Sequence, residues 1–211
     1  MKYLSLADLN DLSGRYRAHL INSITGIKSA NLIGSISKNG EKNLAIFSSV
    51  VHIGSKPPLL GFVLRPTTVE RHTYDNIKAT SEFTVNHIHA DMIDKAHQTS
   101  AKYDKTISEF EAVGLEEEFL NECKAPFVKS SQIKIACRYK NEYLIEENGC
   151  RLVIGEIIGV YFDNNILFDD GFLDISKPES VGILGNDAYV KMNILNRFEY
   201  AEPDKKLEVK E

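Results

Sequence analysis

The sequence lacks most of the features by which a function usually announces itself. Cysteine appears three times, as Cys123, Cys137 and Cys150, an odd number with no C-x-x-C spacing. That pattern supports neither a disulfide framework nor a zinc site, and the thiols read as buried groups in a reducing compartment. Cations are in deficit: 25 Lys and Arg stand against 30 Asp and Glu, for a net charge of -5. A nucleic-acid partner requires clustered cations along its phosphate backbone, so none is expected. Nowhere do about 18 apolar residues run together as a membrane-spanning helix would need, so no membrane partner is expected either. The opening MKYLSLADLNDL carries acidic groups where a secretion signal would place its apolar core, and the expected location is the cytoplasm. Also missing are a G-x-G-x-x-G opening a helix and a G-x-x-x-x-G-K-[ST] loop, which excludes the usual dinucleotide and P-loop cradles. The GILG at Gly182 to Gly185 is too short to replace them. No internal repeat, low-complexity segment or linker divides the chain.

What is present is a β habit. The 211 residues suit one domain, large enough to bury a core without covalent staples and spanning 1–211. Its charged, Pro-initiated tail from about 202 is expected to fray. Ala30 to Ser37 and Leu44 to Val51 flank KNGEK, whose Asn39-Gly40 is a strong hairpin signal. Leu59 to Leu64 reads as a strand that ends at Arg65-Pro66, because Pro has no N–H for the next ladder bond. His72 to Ser81 suits a short helix, and Phe83 to His89 returns to strand-like alternation. Asp91 to Val113 is a polar excursion with two weak helical segments. Ile133, Ile135, Cys137 and Tyr139 alternate with polar or small neighbours, and Asn148-Gly149 then turns the chain into CRLVIGEIIGVYF before Asn164-Asn165 turns it again. Such spacing predicts a mainly β protein, a closed or half-closed antiparallel barrel with short peripheral helices.

Two stretches interrupt this habit with polar groups. NLAIFSSVV, Asn43 to Val51, places an Asn and two serines inside an apolar strand. RPTTVERHTYDNI, Arg65 to Ile77, brings Arg71, His72 and Thr73 to the expected start of a helix. There, free N–H groups, the positive dipole end and a cation would converge on an anion, most simply a phosphate. Ordinary capping by Thr73 beside a solvated Arg is the plain alternative. His87 and His89, with Asp91 and His97 nearby, suggest a metal site, but the spacing fixes no third ligand and no metal is expected. Nothing resembles a nucleophile elbow or a nucleophile with its base, so catalytic residues stay unassigned.

Several blocks in order, NLAIFSSVVHIGSKPPLLGFVLRP, RHTYDNIKATSEFTVN, ISEFEAVGL, APFVKSSQIKIAC and RLVIGEIIGVYFDN, give the chain a resemblance that runs from about Gly26 to Phe198. It resembles the flavin reductase-like proteins with an FMN-binding split barrel. The resemblance implies a Greek-key antiparallel split barrel, an FMN cofactor at a subunit interface and hence a homodimer. It implies that Asn43, Ala45 and Ser48, with the neighbouring Leu44 and Ser49, approach the isoalloxazine and ribityl chain. Arg71, Thr73 and Asn76, with Arg65 and His72 in the same stretch, would hold the phosphate. The family's more usual Lys-Asp-Thr reads Arg71-His72-Thr73 here, which leaves the role of His72 open. His97 and Ser100, in the subgroup-like AHQTSAKYDK, would cover the flavin or lie on a surface helix. The implied activity is hydride transfer from NAD(P)H to FMN, with electrons passed on to a flavin, a small molecule or a partner protein. A non-enzymatic FMN electron carrier and an enzyme of the pyridoxamine-phosphate oxidase type are the alternatives.

Overall fold

Two helices that hydrophobic periodicity does not announce open the chain, α1 (Leu6–Asp11) and α2 (Gly14–Ile24). Neither buries a residue. Local chemistry starts the first one. The Ser5 hydroxyl accepts from the Asp8 N–H at 3.2 Å while the Asp8 carboxylate accepts from the Ser5 N–H at 2.7 Å, a capping box. The computed structural model describes residues 1–210.

The strands follow as β1 (Ile27–Ser29), β2 (Asn31–Ile36), β3 (Lys42–Phe47), β4 (Val51–Ser55) and β5 (Pro58–Leu64). Helix α3 (His72–Thr80) leads into β6 (Glu82–His87), and the polar excursion carries α4 (Ile93–Gln98) and α5 (Glu109–Val113). The short β7 (Glu117–Glu118) and β8 (Phe127–Val128) precede the long pair β9 (Lys134–Ile145) and β10 (Cys150–Tyr161). The strands β11 (Val181–Leu184) and β12 (Ala188–Lys191) come last. The Asn39-Gly40 turn is where the sequence places it: Gly40 has φ +89°, and β2 pairs with β3 from Asn31↔Phe47 to Ile36↔Lys42.

Seven strands form one antiparallel sheet in the order β3-β2-β6-β9-β10-β5-β4, and β1-β11-β12 form a second. Strands β3 and β4 lie at opposite edges of the larger sheet, yet only Ser48 to Val50 join them. That link spans at most about 14 Å. The sheet is therefore rolled until its two edges nearly meet, which is a split barrel and agrees with the expected mainly β class. Ser49 holds the seam, because its hydroxyl accepts from the Val63 N–H at 3.0 Å and donates to the Val63 carbonyl at 3.1 Å. The continuous strand expected from Leu44 to Val51 is thus broken at the serines, where the chain crosses from one edge to the other.

Rolling the sheet gives β2 a core on each face. Ile33 joins Phe62, Phe83, Ile77, Val85 and Val153, with Phe47 edge-on to Phe62 at 5.0 Å and Phe62 edge-on to Phe83 at 5.6 Å. Its neighbour Leu32 points the other way, into a cluster with Leu44, Ile88, Phe110, Val181 and Ile183. The tail does not fray as expected. Phe198 bridges Val209, Lys210 donates its N–H to the Arg197 carbonyl, and its ammonium pairs with Asp170 at 3.1 Å.

Candidate cofactor site

The hairpin β2–β3 sets Ser35 directly across from Asn43, so both side chains leave the sheet on the same face. Helix α3 lies on that face. Its Thr73 and Asn76, three residues apart on one helix side, meet the pair: Asn43 Nδ2 donates to Thr73 Oγ1 at 2.9 Å, and Asn76 Nδ2 donates to Ser35 Oγ at 3.3 Å. All four side chains are buried, and the two bonds pair each amide donor with a hydroxyl acceptor. A second network fastens the outer side of α3. Glu142 of β9 accepts from Tyr74 at 2.8 Å and from Arg151 at 2.9 Å, and Lys78 donates to Tyr139 at 2.8 Å. Burial, then the Glu142 carboxylate, raises the Tyr74 pKa above its usual range.

This clamping fixes the start of α3. Arg71 stands at its N-cap with no side-chain cap bond, so the first turn keeps N–H groups for an outside acceptor. Arg71 Nε donates to the Pro66 carbonyl at 3.3 Å, which steadies the guanidinium beside that turn. Asn43, His72 and Asn76 line a small cavity together with Glu41, Lys42, Lys105 and Ile107. Its free volume of about 10 Å³ is room for one water, so a larger ligand meets this place from outside the chain's own enclosure.

Carboxylates border the cations here. Glu109, at the start of α5, is buried and accepts the Leu44 N–H at 2.9 Å. Burial pushes its pKa up, opposed by backbone N–H groups and the nearby His72. Glu70 lies 3.7 Å from both His72 and Lys105. Hydrogen bonds from the backbone and side chain of Thr106, with a contribution from His72, lower the Asp104 pKa. Lys42 is paired with Glu117 of β7.

The structure thus brings Asn43, His72, Thr73 and Asn76 together, with Arg71 at the same helix end. Ala45 and Ser48 are half-buried further along β3 and its exit, while the Leu44 side chain belongs to the core. Ser49 is taken up in tying β3 to β5, and Arg65 is exposed at the end of β5. His97 and Ser100 do not line the cavity. Both are exposed at the end of α4, where His97 Nδ1 meets the Tyr189 hydroxyl at 3.0 Å with the rings edge-to-face at 5.8 Å. Sequence reasoning passed over Lys42, Glu70, Lys105 and Glu109. Lys105 closes the AHQTSAKYDK block, but no local pattern shows that it folds back toward Glu70.

The histidines considered for a metal have separate partners. His87 Nδ1 faces Ser180 Oγ at 3.4 Å, His97 faces Tyr189, and no group of three metal-capable side chains is gathered among the described residues. Burial lowers the His87 pKa from 6.5 to about 4. The folded pKa lies below the unfolded one, so between these values the unfolded chain binds the extra proton. His87 therefore favours folding above about pH 6.5, and that contribution is lost as the pH falls toward 4. His87 as a residue is half-buried, so the loss is expected to be about 2 kcal/mol, short of the full conversion of the shift. Urea titrations at pH 7 and pH 4.5 should show a steeper loss for the wild type than for His87→Gln. Parallel losses in the two proteins would assign the acid sensitivity to other groups.

A rolled antiparallel sheet whose two edges nearly meet, with an uncapped helix end beside an arginine and buried amides, defines a split-barrel protein. The chain belongs to the flavin reductase-like family: the flavin reductase like domain matches residues 28–176. It is similar to a protein from Shewanella frigidimarina NCIMB 400 assigned as a flavin reductase with a split barrel domain, 45% identical. That match covers 95% of this chain and 100% of the other, with a TM-score of 0.92. Component B of nitrilotriacetate monooxygenase from Bacillus cereus superposes with a TM-score of 0.80 at 20% identity, covering 95% and 98% of the two chains. Flavoredoxin of Desulfovibrio vulgaris (Miyazaki F) superposes with a TM-score of 0.68 at 22% identity, over 84% and 91%. At these lower identities the likeness speaks for the fold alone. Among the described residues no helix is long and apolar enough to cross a membrane.

Proposed function

We propose that this protein is an FMN-dependent oxidoreductase that takes hydride from NAD(P)H and passes electrons to a flavin, a small molecule or a partner protein. The observation that carries the reading is the start of α3, with its uncapped first turn, Arg71 and the Thr73–Asn43 pair. A phosphate monoester suits that place, because N–H donors, a hydroxyl and a guanidinium all favour a dianion. One such place, with no pyrophosphate cradle in the sequence, favours FMN over FAD. The neighbouring β3 offers an apolar floor with polar rims at Ala45 and Ser48, which suits a flat heteroaromatic ring. When bound, FMN supplies the redox chemistry, and the chain's residues bind, orient and exclude water. A single chain encloses only a water-sized cavity at this place, which supports a homodimer in which a second copy completes the site. The same small enclosure also supports a second reading, an FMN electron carrier with no substrate pocket of its own. We place the protein in the cytoplasm.

The purified protein is expected to be yellow, to release FMN on acid extraction, and to oxidise NADH or NADPH with many turnovers when an acceptor is supplied. Bound FMN without turnover would favour the carrier. A colourless protein with no affinity for added FMN would remove both readings.

A further inference from the structure

Glu70 sits where an incoming anion would compete. Its Oε2 lies 3.7 Å from His72 Nε2 and its Oε1 lies 3.7 Å from Lys105 Nζ, so one carboxylate spans an imidazole and an ammonium from distant parts of the chain. Both His72 and Lys105 line the cavity that Asn43 and Asn76 share, whereas Glu70 does not. The carboxylate is held loosely. Its side chain is 59% exposed, both pairs are near the outer limit of ion pairing, and pairs so exposed contribute little to stability. A phosphate monoester carries up to two charges and three acceptor oxygens, so it meets the same two side chains with more charge and more hydrogen bonds.

We infer that His72 and Lys105 form a clamp for a phosphate monoester, and that Glu70 is the internal anion which that phosphate displaces. The inference deepens the flavin reading and rests on it. It gives His72 a role that an Asp in its place could not fill, and it brings the 96–105 segment to the ligand through its last residue, Lys105. Asp104 and Glu109 also act on His72, but Asp104 is engaged by Thr106 and Glu109 by the Leu44 N–H. Glu41 also lines the cavity but forms an ion pair with neither His72 nor Lys105, which leaves Glu70 as the carboxylate paired with both. The phosphate could be the one on FMN or the ribose 2′-phosphate of NADPH, and the two are separable by experiment.

The test compares wild type, Glu70→Gln and Lys105→Ala for binding of FMN and riboflavin and for KM toward NADPH and NADH, with thermal unfolding as a check on folding. If the clamp serves FMN, Lys105→Ala weakens FMN about tenfold by removing a charged donor. Glu70→Gln tightens FMN about threefold by removing a weak competitor, and riboflavin stays unchanged in both variants. If the clamp serves the nicotinamide cofactor, the same opposed shifts appear in the KM for NADPH and not for NADH. Either pattern supports the clamp. Wild-type FMN binding with neither variant altering FMN or NADPH overturns the clamp and leaves the flavin reading intact. Equal shifts for FMN and riboflavin overturn it as well, since they mark a structural role. A wild type that neither binds flavin nor oxidises NADPH overturns both.

Discussion

Gly34→Ala is expected to destabilise the folded chain by about 3 kcal/mol, at the upper end for overpacking a core. Gly34 lies in β2 opposite Thr84 of β6. A β-carbon there would fall well inside contact distance of the Pro126 carbonyl oxygen and 2.6 Å from Thr84 Oγ1. Thr84 Oγ1 donates to that Pro126 oxygen at 2.6 Å and also accepts from Asn86 Nδ2, while Asn86 Oδ1 accepts the Val128 N–H at 3.0 Å. The added methyl would have to break a buried chain of hydrogen bonds that docks the 125–128 segment on the sheet, leaving donors without water or protein partners. Gly14→Ala is the control, because no atom lies within 4 Å of a β-carbon there. It opens α2, where alanine has the better helix propensity, so its stability should hold or rise slightly. Urea unfolding of the three proteins measures the difference. A Gly34→Ala protein as stable as wild type would mean that the 125–128 segment is not packed as described.

Arg71→Ala is expected to weaken FMN binding roughly ten- to hundredfold, the loss of about 1.5–3 kcal/mol when a charge-assisted hydrogen bond is removed. The guanidinium stem is steadied by its Nε bond to Pro66, which leaves its terminal nitrogens for a phosphate at the first turn of α3. Riboflavin, with no phosphate, should respond little. Arg71→Lys should recover much of the affinity, as a cation without the fork geometry. Fluorescence titration of both flavins against the three proteins decides the matter. Equal losses for FMN and riboflavin would make Arg71 a structural residue of the 65–71 loop.

Some of this protein was legible before any folding was considered. Asn39-Gly40 needs only its own backbone preferences to turn, and Arg65-Pro66 ends β5 because a proline nitrogen cannot continue a ladder. The alternation from Ile133 to Tyr139 follows from the two-residue period of a strand. The ordered blocks from Asn43 to Asn164 carry the family, and they also carry Asn43, Thr73 and Asn76, whose proposed roles rest on residue type and order. These signals lie within a few residues of one another, so the chain expresses them wherever it goes.

Tertiary structure decided the rest, because burial and charge pairing depend on which distant segments meet. Ser48 and Ser49 look like a polar flaw in a strand until the sheet rolls and that flaw becomes the crossing between its edges. Glu109 reads as an ordinary solvated helix residue, yet it is buried because α5 lands on β3 and offers a carboxylate to the Leu44 N–H. The charged tail has no local reason to order, but Asp170 supplies one from a distant loop, with a pKa lowered to about 2 by the Phe172 N–H, Lys210 and Arg197. Glu70, His72 and Lys105 share the same logic. Two of them are near neighbours in sequence, but the third reaches them only after α4, so no reading of spacing could join what the fold places 3.7 Å apart.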